Sequence, residues 1–173
     1  ARSLVYRRNQ QAMAETLTAI DRTMEFRYRD VSGVPIFFYH DTQQYFEQAY
    51  AMRVAATVAA PRAGVDTARL LEMRQAMAGM NRACLFTERA LDEPHLELLL
   101  DREGVTVVEL DSFGAGLEPG PDLYGDLVQA NFQAISNCVR DLKPASQQAG
   151  YDPLTADMGQ SPAEFAPRFA MLD

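Results

Sequence analysis

The chain has 173 residues, 47% of them hydrophobic and 23% charged, the size and balance of one globular domain around one core. Its net charge of −8 and pI near 4.8 would repel a phosphate backbone, and apart from Arg7-Arg8 the basic residues are scattered, so nucleic acid is not an expected partner. No stretch approaches the roughly 18 apolar residues of a membrane span, and "RSLVYRRNQQ" after Ala1 lacks the apolar region of a signal peptide, which would have to lie outside this sequence.

In chain order, Tyr6, Met13, Leu17, Ile20 and Met24 recur at intervals of seven, four, three and four, the period of one apolar helix face, and "DVSG" stops that helix at Gly33. "VPIFFY" reads as a buried strand. Asp41 or Thr42 can cap the next helix, "TQQYFEQAYAM", in which Tyr45, Phe46 and Ala49 share a face. A weaker strand, "RVAATVA", breaks at Pro61, and Asp66 caps the amphipathic helix "DTARLLEMRQAMAGM". "ACLFTE" is a third strand. "LDEPHLELLLDREG" is expected to be a helix with Pro94 in its first turn, a stop at Gly104 and His95 at the surface. "VTVVELD" is the fourth strand, "SFGAGLEPGPD" a loop and "LYGDLVQANFQAISNCVRDL" the last clear helix. Residues 143–173, with four of the nine prolines, read as an irregular tail. Its apolar residues, among them Tyr151, Leu154, Met158, Phe165 and Phe169, suggest that it packs back on the preceding domain.

Strand and helix alternate over residues 1–142. The expected fold is therefore α/β: a three-layer unit whose mainly parallel four-stranded sheet is covered by helices on both faces. In such sheets functional groups gather beyond the carboxyl ends of the strands. Here those ends carry His40, Glu88 and Asp111, an imidazole and two carboxylates, which is a ligand set for zinc or manganese. Polar residues at strand ends also serve as ordinary helix caps, so the pattern alone leaves both readings open.

Catalytic motifs are missing from the sequence. There is no G-x-S-x-G, H-E-x-x-H or P-loop, and "GAGLEPG" misses the dinucleotide spacing while placing Glu118 where a phosphate would approach. Ser112 with His40 as base, or His40 with Asp41, makes no triad by adjacency alone. The chain is thus not expected to be an enzyme. Cys84 and Cys138 lie far apart in no metal-binding spacing, and are either two buried thiols or one disulfide.

"FFYHDTQQYFEQAYAM", "CLFTERAL" and "VTVVELDSFGAGLEPGPDLYGDLVQANFQAISNCV" together resemble the C-terminal lobe of the periplasmic zinc-binding proteins of ABC uptake transporters, the cluster A-I substrate-binding proteins that also include manganese binders. "YRRNQQAMAETLTAID" resembles that family's Tyr-x-x-Asn helix. Two departures stand out: Ser112-Phe113 replaces Pro-Leu in the third motif, and Arg89 replaces proline in the second.

The resemblance implies that His40 and Asp111 are C-lobe metal ligands and that Glu88 is an acidic residue which orients them or binds the ion weakly. It implies a Cys84–Cys138 disulfide, worth roughly 4 kcal/mol by chain entropy. It further implies a periplasmic location, Zn²⁺ in preference to Mn²⁺ as the ion, and an ABC permease as partner. The two further histidines of the family's N-terminal lobe are not in this sequence. The chain is then either part of a two-lobed protein or a one-lobed relative without tight metal binding, acting as a protein-interaction module in zinc homeostasis, with another zinc carrier as a possible partner.

Overall fold

A computed structural model describes residues 2–29, 34–59, 64–89, 91–101 and 103–142. Four short apolar runs form strands β1 (Ile36–His40), β2 (Val54–Ala59), β3 (Ala83–Glu88) and β4 (Val105–Leu110), all parallel, in the order β2-β1-β3-β4. Every residue of β1 and β3 is buried, which is why "IFFYH" and "ACLFTE" read as near-continuous apolar runs rather than alternating ones. The edge strand β4 is wetter, with Val107 39% exposed.

The helices are α1 (Arg2–Tyr28), α2 (Gln44–Tyr50), α3 (Thr67–Ala78) and α4 (Leu123–Leu142). On one face, Phe38, Phe86 and Leu110 pack with Met24 and Tyr28 of α1 and with Phe132, Ile135 and Val139 of α4, and Phe46 and Tyr50 of α2 join them. On the other, Phe37, Tyr39 and Leu85 pack with Leu70, Met73 and Met77 of α3 and with Leu99. The chain steps from β1 to β2 in one direction over the first face, then back to β3 over the second. Opposite steps on opposite faces are what right-handed crossovers require. β1 and β3, whose onward connections diverge, are neighbours, and this makes the space beyond their carboxyl ends the switch point of the sheet.

The Cys84–Cys138 disulfide joins β3 to α4 across a sequence separation of 54. Asp66 caps α3, accepting from the Ala68 and Arg69 amides. The two middle strands and α4 fall where the sequence puts them.

Four expectations need correction. The segment after Pro94 is only a 3₁₀ turn, Leu96–Leu98, because His95 adopts a left-handed φ of 67° and Leu99 is drawn into the core. Gly104 ends no helix there. Its φ of 89° turns the chain into β4, and a Cβ on it would stand 2.3 Å from the Asn81 carbonyl oxygen. Helix α2 begins after Gln43 with no side-chain cap, since the Thr42 hydroxyl is used elsewhere, and Tyr45 points outward at 82% exposure while Phe46 and Tyr50 make the contact. Finally, the apolar spacing along α1 is only partly a core face. Tyr6 and Leu17 are exposed, and the buried residues of α1 are Met24 and Tyr28. The tail, residues 143–173, and the "DVSG" stop over 30–33 lie outside the described residues.

Candidate metal centre

Phe38 of β1 pairs with Phe86 of β3, and Glu88 pairs with Leu110 of β4, so His40, Glu88 and Leu110 stand level at the carboxyl edge. Residues two apart on a strand share a face, so His40 and Glu88 project on the side of α1, α2 and α4. Asp111 follows one residue after β4. The three sequence-predicted residues therefore meet at one edge, with His40 and Glu88 on the adjacent strands that flank the switch point.

His40 is buried, its ring 5.0 Å from that of Tyr39, and its Nδ1 is a buried nitrogen with no hydrogen-bond partner among the described residues. A buried polar atom left unpaired by the protein fits a site that is completed by something exogenous, an ion or a water.

Asp111 is held by its own loop. Oδ1 accepts from the amides of Phe113 (3.0 Å), Gly114 (2.8 Å) and Ala115 (3.2 Å), and Oδ2 from Gly116 at 2.9 Å. These donors, that of Gly116 foremost, hold the carboxyl below the usual range and keep it an anion. Oδ1 is saturated, whereas Oδ2 has one bond and so retains a lone pair for a cation. The backbone of Asp111 is fixed as well: its N–H donates to Asn131 Oδ1 at 3.0 Å, and Asn131 Nδ2 donates to its carbonyl at 2.7 Å. Arg89 donates through Nε to Glu109 at 2.8 Å and lays its guanidinium on Gly116, where a Cβ would stand 2.4 Å from Nη1.

Glu88 is buried and already bonded. Oε1 accepts from Thr42 Oγ1 at 2.5 Å and from Gln43 Nε2 at 3.4 Å, Oε2 accepts from the Ser112 hydroxyl, and the Glu88 amide donates to Glu93. His95, as expected, is at the surface, with 60% of its side chain exposed. Among the described residues no group of three or more His, Cys, Asp or Glu converges as a complete metal site.

Sequence reasoning missed three residues. Thr42 was read as a helix cap and Ser112 only as a nucleophile, although each is a hydroxyl within two residues of a candidate ligand. Asn131, a polar residue on the amphipathic helix α4, was the available sign of a clamp on the strand end.

Residues 1–138 match the family described as zinc-uptake complex component A, periplasmic (ZnuA). The chain belongs to this family. It is 27% identical over 135 residues to the ZnuA of the high-affinity zinc uptake system of Brucella abortus, covering 78% of this chain and 40% of that protein. To the ZnuA of Paracoccus denitrificans it is 27% identical over 140 residues, covering 42% of that protein. The chain thus spans about two-fifths of the length of these curated ZnuA relatives. Among solved structures, its fold is similar to the periplasmic zinc-binding protein TroA of Treponema pallidum, with a TM-score of 0.59 at 18% identity over 75% of this chain and 50% of that one. It is also similar to the laminin-binding protein Lmb of Streptococcus agalactiae, with a TM-score of 0.60 at 13% identity over 75% and 50%. At such identities the likeness is one of fold. The ZnuA match, the parallel α/β unit and the partial coverage agree with the C-terminal lobe that the sequence motifs resemble.

Proposed function

We propose that this chain is the C-terminal lobe of a periplasmic zinc-binding component of an ABC uptake system and carries part of the metal site. In this reading His40 binds Zn²⁺ through an imidazole nitrogen and Asp111 through Oδ2, and no bond of the cargo ion's surroundings is made or broken. The supporting observation is the unpartnered, buried His40 Nδ1 at the switch-point edge that Asp111 also borders. Membership in a solute-binding family favours capture over catalysis.

Two protein ligands are fewer than the four of a closed zinc site. The remainder would come from a second lobe, as the resemblance implies, and the loaded protein would deliver its ion to a membrane permease. Zinc is favoured over manganese because the imidazole is the softer donor.

The rival is a lobe without useful metal affinity that acts as an interaction module. The heavy hydrogen bonding of Asp111 and the exposed Phe113 beside it favour that reading. Calorimetric titration of the metal-free chain separates the two. Heat with Zn²⁺ that is lost in both His40→Ala and Asp111→Ala supports the metal site, and the absence of heat with either Zn²⁺ or Mn²⁺ supports the module.

A further inference from the structure

We infer that Glu88 is a clasp rather than a ligand: its carboxylate ties the connection that follows His40 to the connection that carries Asp111, and Thr42 and Ser112 are the positioning residues that close it. The consequence for metal affinity rests on the function proposed above, whereas the clasp itself is a feature of the metal-free chain.

A carboxylate that is 3% exposed needs compensating partners, and Glu88 has them from both sides. Thr42 lies two residues beyond His40, and Ser112 one residue beyond Asp111. Their hydroxyls engage different oxygens of one carboxylate, Oε1 and Oε2 respectively, and Gln43 adds a longer bond to Oε1. Strand pairing fixes β1, β3 and β4 only as far as Ala59, Glu88 and Leu110, and the residues beyond need another tie. The Asp41 amide still reaches the Ala59 carbonyl at 2.8 Å, but among the described hydrogen bonds those joining residues 41–43 to residues 111–116 run through Glu88. A carboxylate holding three donors offers an ion much less than Asp111 Oδ2, which holds one. Glu88 therefore sets how far apart the imidazole and the free lone pair of Asp111 stand, without touching the ion.

The test uses the full chain with Ser112→Ala, Ser112→Thr, Glu88→Gln and Glu88→Ala, and two readouts. Amide exchange in metal-free protein is followed at Glu47, which donates to the Gln43 carbonyl, and at Phe113 to Gly116, which donate to Asp111. Zn²⁺ affinity is followed by calorimetry. The clasp requires that Ser112→Ala speed exchange on both sides of the crevice, Glu47 included, and weaken Zn²⁺ binding roughly tenfold, the scale of losing a partner that orients a ligand. Ser112→Thr, which keeps the hydroxyl, should restore both. Glu88→Gln should retain more affinity than Glu88→Ala, because its amide can accept from Thr42 and donate to Ser112 Oγ. Exchange changes confined to residues 112–116 in Ser112→Ala would overturn the clasp. So would equal loss of affinity in both Glu88 variants with Ser112→Ala unaffected, since that pattern marks a ligand. If the unsubstituted chain takes up no Zn²⁺, the metal reading falls and the exchange pattern alone decides the clasp.

Discussion

Two carboxylates on the same side of the molecule have opposite linkages to pH. The Asp111 carboxyl is depressed by its amide donors, so the native state holds its proton less tightly than the unfolded chain does. Its stabilising contribution is present above the ordinary carboxyl range near pH 4 and is lost as pH falls through the lower folded value. Asp111→Asn should therefore melt a few degrees below the unsubstituted chain at pH 7, and the gap should narrow in acid. A gap that stays constant from pH 6 to pH 2.5 would count against this account. Glu47 is the reverse case: burial first, and then the Asp41 charge, raise its carboxyl, and its Oε1 is buried with no partner among the described residues. The charged form works against folding at neutral pH, and the penalty shrinks as pH falls through the raised range. Solvent screens a side chain this exposed, so Glu47→Gln should gain no more than about 0.5 kcal/mol at pH 7 in denaturant unfolding, with less gain near pH 4.

Among the elements, α4 organises the most. Its Phe132 ring meets Tyr28 of α1 edge-on at 4.9 Å, Asn131 clamps the end of β4, and Cys138 is bonded to Cys84 in β3. The helix thus fixes both the floor of the core and the rim of the candidate site. The disulfide closes a long loop, for which chain entropy gives about 4 kcal/mol as a model-dependent figure. Reductant should accordingly lower the unfolding midpoint by several degrees, and Cys84→Ala/Cys138→Ala should match the reduced protein. If the reduced and oxidised chains melted alike, the bond would contribute little to stability. Helix α1 runs in the same direction as α4, since Ile20 lies against Gly125 and Tyr28 against Phe132. The residues before Ile20 consequently extend beyond the first turn of α4, and Leu4 and Tyr6 there are 69% and 60% exposed.

For the whole molecule, those side chains, with Leu17 and Phe26, form more exposed apolar surface along one helix than a lone domain ordinarily carries. The apolar residues of 143–173 are proposed as part of the cover. Deleting residues 145–173 should lower the melting temperature or the solubility, and an unchanged melting curve would remove the idea. The same surface is available to a second lobe. A chain spanning about two-fifths of its ZnuA relatives supplies two candidate ligands, which places tight capture, if it occurs, in a larger assembly.

Local chemistry made much of this legible before any coordinates. The buried runs "IFFYH" and "ACLFTE" could only be interior strands, Asp66 could only cap what followed it, and the strand-helix alternation led to a parallel sheet whose carboxyl edge had to carry His40, Glu88 and Asp111. The Cys84–Cys138 bond was implied by family resemblance and left open by spacing. Tertiary contact decided the rest. Whether "LDEPHLELLL" coils into a helix depended on where Leu99 could be buried, and which side of α2 faces inward depended on Tyr28 waiting to receive Phe46 and Tyr50. The commitments of Thr42 and Ser112 to Glu88 could not be read from the sequence, because the three residues are brought together by parallel strand pairing, and hydrogen bonds between distant segments leave no periodicity in the chain.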